Sequence, residues 1–123
     1  MIINIDPRGV AARTIFKIAH DFTPVSISPE AAKTIAASYS CLQEHAASGQ
    51  AIYGVSTGLG AAVDTVMKVR TGDDQHLIPR ARAVGVGRIA TEFETRAMIA
   101  TRLSRVCVGH SGMSYAVAAA LAG

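Results

Sequence analysis

Apolar residues recur along this chain mostly at helical spacing, and the breaks between repeats fall at glycine and proline. The pattern begins weakly. Met1–Ile5 reads as a short strand, and Val10–Ala19 has mixed helical spacing through Ala12, Ile15, Phe16 and Ala19, ended by Pro24. Val25-Ser26-Ile27 is a short alternating stretch. A firm helix starts at Ser28, which can N-cap; Pro29 suits the first helical position and Glu30 the positive end of the dipole. Ala31, Ile35, Tyr39 and Leu42 then form a stripe, and Gly49 supplies the stop. Such a helix has about five turns and runs roughly 30 Å.

The apolar run Ala51–Tyr53 flows into a glycine-dense loop holding Gly54, Gly58 and Gly60. Glycine lowers the cost of unusual backbone angles and permits close approach. Asp73 or Asp74 opens a further helix through Arg82, kinked or delayed by Pro79, and Gly85-Val86-Gly87 closes that segment. Thr91-Glu92-Phe93-Glu94 is a capping box for a helix to about Val108, with Phe93, Ala97, Ala100, Leu103 and Cys107 on its apolar side. Gly109 stops it. Ser111 is then expected to cap a last helix, Gly112–Ala122, apolar nearly all round and therefore expected to be buried. Burying it needs more protein, supplied downstream or by a partner.

Composition narrows the class. Of 123 residues, 50% are hydrophobic and 17% charged, which excludes a wholly disordered chain. Trp is absent and aromatics make up 5%, so close helix packing is favoured over an aromatic core. The net charge of +3 is far from the dense basic stripe of a nucleic-acid binder. No run approaches ~20 apolar residues, and the N-terminus lacks a secretory pattern. Cys41 and Cys107 fall inside helical patterns and read as two buried thiols, which fits a reducing cytosol. A cytoplasmic protein with neither nucleic-acid nor membrane partners is expected.

Several chemistries find no support. His20, His45, His76 and His110 show no i, i+4 pair, so no metal site is expected. There is no GxSxG elbow, no Lys after Gly60 for a phosphate loop, and no third glycine for a dinucleotide fingerprint. Arg80, Arg82 and Arg88 read as a solvated basic face, and a small anion-binding domain using Gly85–Arg88 stays open. Tyr53, directly before the glycines, has two readings. One is a structural tyrosine with a satisfied hydroxyl. The other is a base on a closing loop, for which positive charge or donors must stabilise the phenolate.

At this point the chain resembles a known family. Tyr53-Gly54-Val55-Ser56-Thr57-Gly58-Leu59-Gly60 is similar to the tyrosine-loop motif of the aromatic amino acid ammonia-lyases, Tyr-Gly-(Val/Ile)-(Asn/Thr/Ser)-Thr-Gly-(Phe/Leu)-Gly. Ala83-Val84-Gly85-Val86-Gly87 resembles the family's Ala-Gly-Val-Gly turn. Arg102 followed by Gly109-His110-Ser111-Gly112 resembles its Arg-x-Asn…Gly-x-Ser-Gly junction between helices. Order and spacing agree for all three. The resemblance covers about residues 22–123, the N-terminal quarter or so of such an enzyme.

The resemblance implies a mainly α-helical chain of the fumarase/aspartase-like kind, with one or two short strands before the tyrosine loop. Residues 1–123 then form a single N-terminal segment, without the central helix bundle. It implies an enzyme that removes ammonia from histidine or an aromatic amino acid to give an α,β-unsaturated acid. The family's cofactor is a methylidene-imidazolone (MIO) electrophile formed from an Ala-Ser-Gly downstream of this segment. Tyr53 takes the place of the family's β-proton base, and Gly60 lies near the electrophile. Ala47-Ser48-Gly49 reads as a coincidental match at a helix end. Ala81 and Arg82 stand where histidine lyases have Ser-His, tyrosine lyases His-Leu and phenylalanine lyases Phe-Leu. Ala81 leaves room. Arg82 either enters the pocket, favouring an acidic or hydrogen-bond-accepting substrate side chain, or faces a carboxylate of another subunit. The implied partners are a small amino acid, the remainder of the enzyme in cis or on another chain, and further copies in a homotetramer. The segment alone is expected to be inactive. A non-catalytic helical remnant or association module is the alternative.

Overall fold

In the computed structural model, β1 (Ile3–Ile5) and β2 (Val25–Ile27) pair in parallel, with Ile3 opposite Val25, Asn4 opposite Ser26 and Ile5 opposite Ile27. Ile3 N–H donates to the Pro24 carbonyl at 2.9 Å and Ser28 N–H to the Ile5 carbonyl at 3.0 Å. Parallel strands require a crossover. Here it is α1 (Ala12–His20), slightly shifted from the expected Val10–Ala19. The structure describes residues 1–53, 55, 57 and 86–123. They fall into two compact units: Met1–Leu42 with Ile89–Gly123, and Gln43–Arg88. The helix expected between Asp73 and Arg82 lies outside the described residues.

α1 has no side-chain cap and depends on its amphipathic face, where Ile18 and Ala19 are buried. α1 packs on α3 (Glu92–Cys107). Before it, Val10 N–H donates to the Ser104 hydroxyl at 3.0 Å. After it, Phe22 adopts φ +52°, a left-handed conformation costing about 1–2 kcal/mol. The Arg96 guanidinium lies 4.6 Å from the Phe22 ring centroid and donates to the Ile18 carbonyl at 3.4 Å, holding this reversal against α3.

α2 (Pro29–Ala47) starts as its sequence predicts: the buried Ser28 hydroxyl accepts from Ala31 N–H at 3.1 Å. The Glu30 carboxyl is held below its ordinary range by its own backbone N–H and then by the Ser28 hydroxyl. Only the front of the expected stripe is buried, Ala31 and Ile35, while Tyr39 is exposed. α3 carries the predicted capping box: Glu94 N–H donates to the Thr91 hydroxyl at 3.3 Å, and Thr91 N–H to the Glu94 carboxylate at 2.8 Å. Ile5, Ala31, Ile35, Leu103, Val106 and Cys107 join Ala118 of α4 (Tyr115–Ala122) in one core cluster.

Two sequence expectations need correction here. The last helix begins at Tyr115, capped by Ser114, whose hydroxyl accepts from Val117 N–H at 3.5 Å; Ser111 is not the cap. The reason is Gly112, whose φ of +60° no right-handed helix accommodates. Nor is the helix buried all round. Ala118 faces the core, whereas Tyr115 and Val117 are each 48% exposed, on the side of α4 turned away from that cluster. Cys41 is also exposed, against expectation, since it lies off the buried stripe of α2. Cys107 is buried, and burial pushes its thiol pKa up. Among the described residues no helix is long and apolar enough to cross a membrane.

The elbow between α3 and α4 is pressed onto α2. A Cβ on Gly109 would lie 2.8 Å from Thr34 Cβ, and one on Gly112 would lie 2.6 Å from Leu42 Cδ2. Gly112 N–H donates to the Ser38 hydroxyl at 2.9 Å. Thr34, Ser38 and Leu42 recur every four residues, so they share one face of α2.

Gly109→Ala is therefore expected to cost both left-handed strain and overpacking, the latter about 1–3 kcal/mol. Gly49→Ala, at φ +77° with open space around it, should cost only the strain. Urea unfolding midpoints check the ranking, and equal losses would refute the close approach. A thiol-reactive probe on the native chain should modify Cys41 and spare Cys107 until denaturant is added, as read by peptide mass.

Candidate active site

Tyr53 sits just beyond the end of α2. There Ser48 N–H donates to the Glu44 carbonyl at 3.0 Å and Gly49 N–H to the Ala46 carbonyl at 3.3 Å. The Ser48 hydroxyl donates to the His45 carbonyl at 2.8 Å. Gly49, at φ +77°, turns the chain out of the helix. Ala47, Ser48 and Gly49 are thus bound into a helix terminus.

Val55 N–H then donates to the Ile52 carbonyl at 3.0 Å. This closes a four-residue turn with Tyr53 at its second position. Tyr53 is 63% exposed. Thr57 is the opposite: it is 2% exposed, and its hydroxyl points to the same Ile52 carbonyl at 3.5 Å. An exposed phenol on a hydrogen-bonded turn has the access that proton transfer to or from a bound molecule demands.

Gly60, Ala81 and Arg82 lie outside the described residues. Beyond them, Val86 is exposed and Gly87 has φ +108°. The Gly109–Gly112 motif belongs to the first unit and forms the elbow on α2, with Arg102 exposed on α3. Thr57 is a residue that the sequence does not single out: there it is only one position of a motif. Nothing local to a threonine announces its burial. Among the described residues no group of three or more His, Cys, Asp or Glu gathers as a metal site would require.

Comparison with known proteins gives a consistent result. The profile of the aromatic amino acid lyases matches residues 10–123. The histidine ammonia-lyase of Streptomyces avermitilis is 33% identical over 121 residues, which are 98% of this chain and 24% of that enzyme. That of Sorangium cellulosum is 36% identical over 112 residues, 86% of this chain and 21% of the enzyme. Among solved structures, the tyrosine aminomutase of Streptomyces globisporus superposes with a TM-score of 0.90 at 24% identity, over 99% of this chain and 23% of its own. Histidine ammonia-lyase from Trypanosoma cruzi gives 0.82 at 22% identity, over 99% of this chain and 23% of its own. These two likenesses establish the fold, a mainly helical one. The chain spans about a quarter of the length of the relatives it matches.

Proposed function

The chain belongs to the aromatic amino acid lyase family, and from that premise we propose that it is the N-terminal portion of an MIO-dependent ammonia-lyase acting on histidine or an aromatic amino acid. The observation that carries this reading is the exposed Tyr53 phenol on its hydrogen-bonded turn, inside the lyase loop motif. In the reaction the Tyr53 oxygen accepts the β-proton. The C–H electron pair becomes the Cα=Cβ bond, and the amino group departs with the electrons of the Cα–N bond as ammonia. Gly60, Ala81 and Arg82 are assigned to the vicinity of substrate and electrophile by their place in the family pattern. A cytoplasmic setting and a homotetramer belong to the same proposal.

The electrophile has no source in Ala47-Ser48-Gly49. Ring closure needs the glycine nitrogen to attack the alanine carbonyl, whose oxygen leaves as one water, and the serine hydroxyl to be lost with its α-hydrogen as a second. Here Gly49 N–H is bonded to the Ala46 carbonyl, and the Ser48 hydroxyl to the His45 carbonyl. These residues do not fit the group, and its formation is assigned to protein outside the 123 residues. Intact-mass measurement of the chain is expected to give the unmodified value; a deficit of two waters, mapped to the peptide holding Ser48, would overturn this.

Turnover is to be tested in a chimera that joins residue 123 to the downstream part of the Streptomyces avermitilis histidine ammonia-lyase. Formation of the unsaturated acid, followed by ultraviolet absorbance, should fall about 10²–10⁴-fold in Tyr53→Phe, the usual contribution of a general base. An unchanged rate would remove Tyr53 from the chemistry. The exposed apolar residues of α4 favour a second reading, a non-catalytic association module. A folded chimera without turnover on any amino acid would support it.

A further inference from the structure

One backbone oxygen takes two contacts in the turn that carries Tyr53. The Ile52 carbonyl accepts Val55 N–H at 3.0 Å and also faces the Thr57 hydroxyl at 3.5 Å. The two side chains concerned differ sharply in environment, Thr57 being 2% exposed and Tyr53 63%. A buried hydroxyl is cut off from bulk water and is held to partners within the protein. Threonine adds stiffness, because its branched Cβ leaves few χ1 states. The Thr57 side chain is thus a fixed post, and the carbonyl it faces is the one that closes the turn carrying Tyr53.

We propose that Thr57 is a positioning residue for Tyr53: its buried hydroxyl, directed at the Ile52 carbonyl, fixes the turn and so the place where the phenol oxygen meets substrate. The proposal rests on the reading of Tyr53 as the proton acceptor. Thr57 itself need not touch substrate. Reaction rates depend steeply on such placement, an ångström of displacement costing on the order of a hundredfold.

The test uses the three tyrosines of the chain, Tyr39, Tyr53 and Tyr115, as internal reporters. With ¹³C at tyrosine Cζ, Tyr53→Phe assigns the Tyr53 resonance. Thr57→Val removes the hydroxyl at nearly constant shape and should move or broaden the Tyr53 signal alone. Thr57→Ser keeps the hydroxyl and should restore it. In the chimera, Thr57→Val should lower kcat at least tenfold with KM little changed, and Thr57→Ser should recover most of it. An unmoved Tyr53 signal in folded Thr57→Val would overturn the proposal. So would a common shift of all three tyrosines in both variants, which marks general loss of packing. Should Thr57→Val fail to fold, Thr57→Ser decides: a native Tyr53 signal supports the proposal and a displaced one refutes it. Failure of the base reading looks different, since Tyr53→Phe would then turn over normally while Thr57→Val still moved the Tyr53 resonance.

Discussion

The first unit depends on the backbone of one elbow lying directly against the side chains of a helix. Gly109 and Gly112 bring the elbow between α3 and α4 against the face of α2 formed by Thr34, Ser38 and Leu42. Any Cβ at either glycine meets an atom of α2 at less than 3 Å. Both glycines also take positive φ, so the same residues provide the turn and the approach. The Ser38 hydroxyl accepts from the Gly112 backbone, replacing the water that the approach excludes. With the elbow seated, Cys107 and Ala118 fall into one cluster with Ala31 and Ile35. A glycine-rich junction that resembles a family signature thus has a packing reason in this chain.

The parts of the fold that were legible in the sequence are those specified locally. Ser28 before Pro29 and Thr91 before Glu94 mark helix starts through hydrogen bonds spanning three residues, and both caps form as read. The two short strands are also present. What failed depended on context. Ser111 looks like a cap as good as Ser114, and only the left-handed Gly112 between them removes it. Apolar composition says that α4 favours burial, yet Ala118 alone is fully buried, Leu121 and Ala122 are half-buried, and Tyr115 and Val117 stay exposed among the described residues. Cys41 and Cys107 have the same chemistry and opposite exposure, because Cys41 lies off the buried stripe of α2 while Cys107 falls in the core cluster.

The same division holds at the candidate site. Tyr53 was visible because an aromatic residue ahead of clustered glycines stands out in any sequence. Thr57 was not, since a lone threonine becomes informative only when its burial and the carbonyl it faces are known. Under the proposed roles, access and placement belong to different residues of one motif, the exposed Tyr53 phenol and the buried Thr57 hydroxyl. Gly60, Ala81 and Arg82 are known here from pattern alone.

The pairing of β1 with β2 bears on how the chain reaches this state. Ile5 shares its cluster with Leu103 and Ala118, so a residue near the beginning packs against residues near position 120. Joining them closes a loop of nearly the whole chain, whose entropic cost precedes any reward from contact. During synthesis the N-terminal strand emerges long before the helices that bury Ile5. It can pair with β2 and meet Ala31 and Ile35 early, but completing the core around Ile5 is expected to be late and slow compared with the helices themselves.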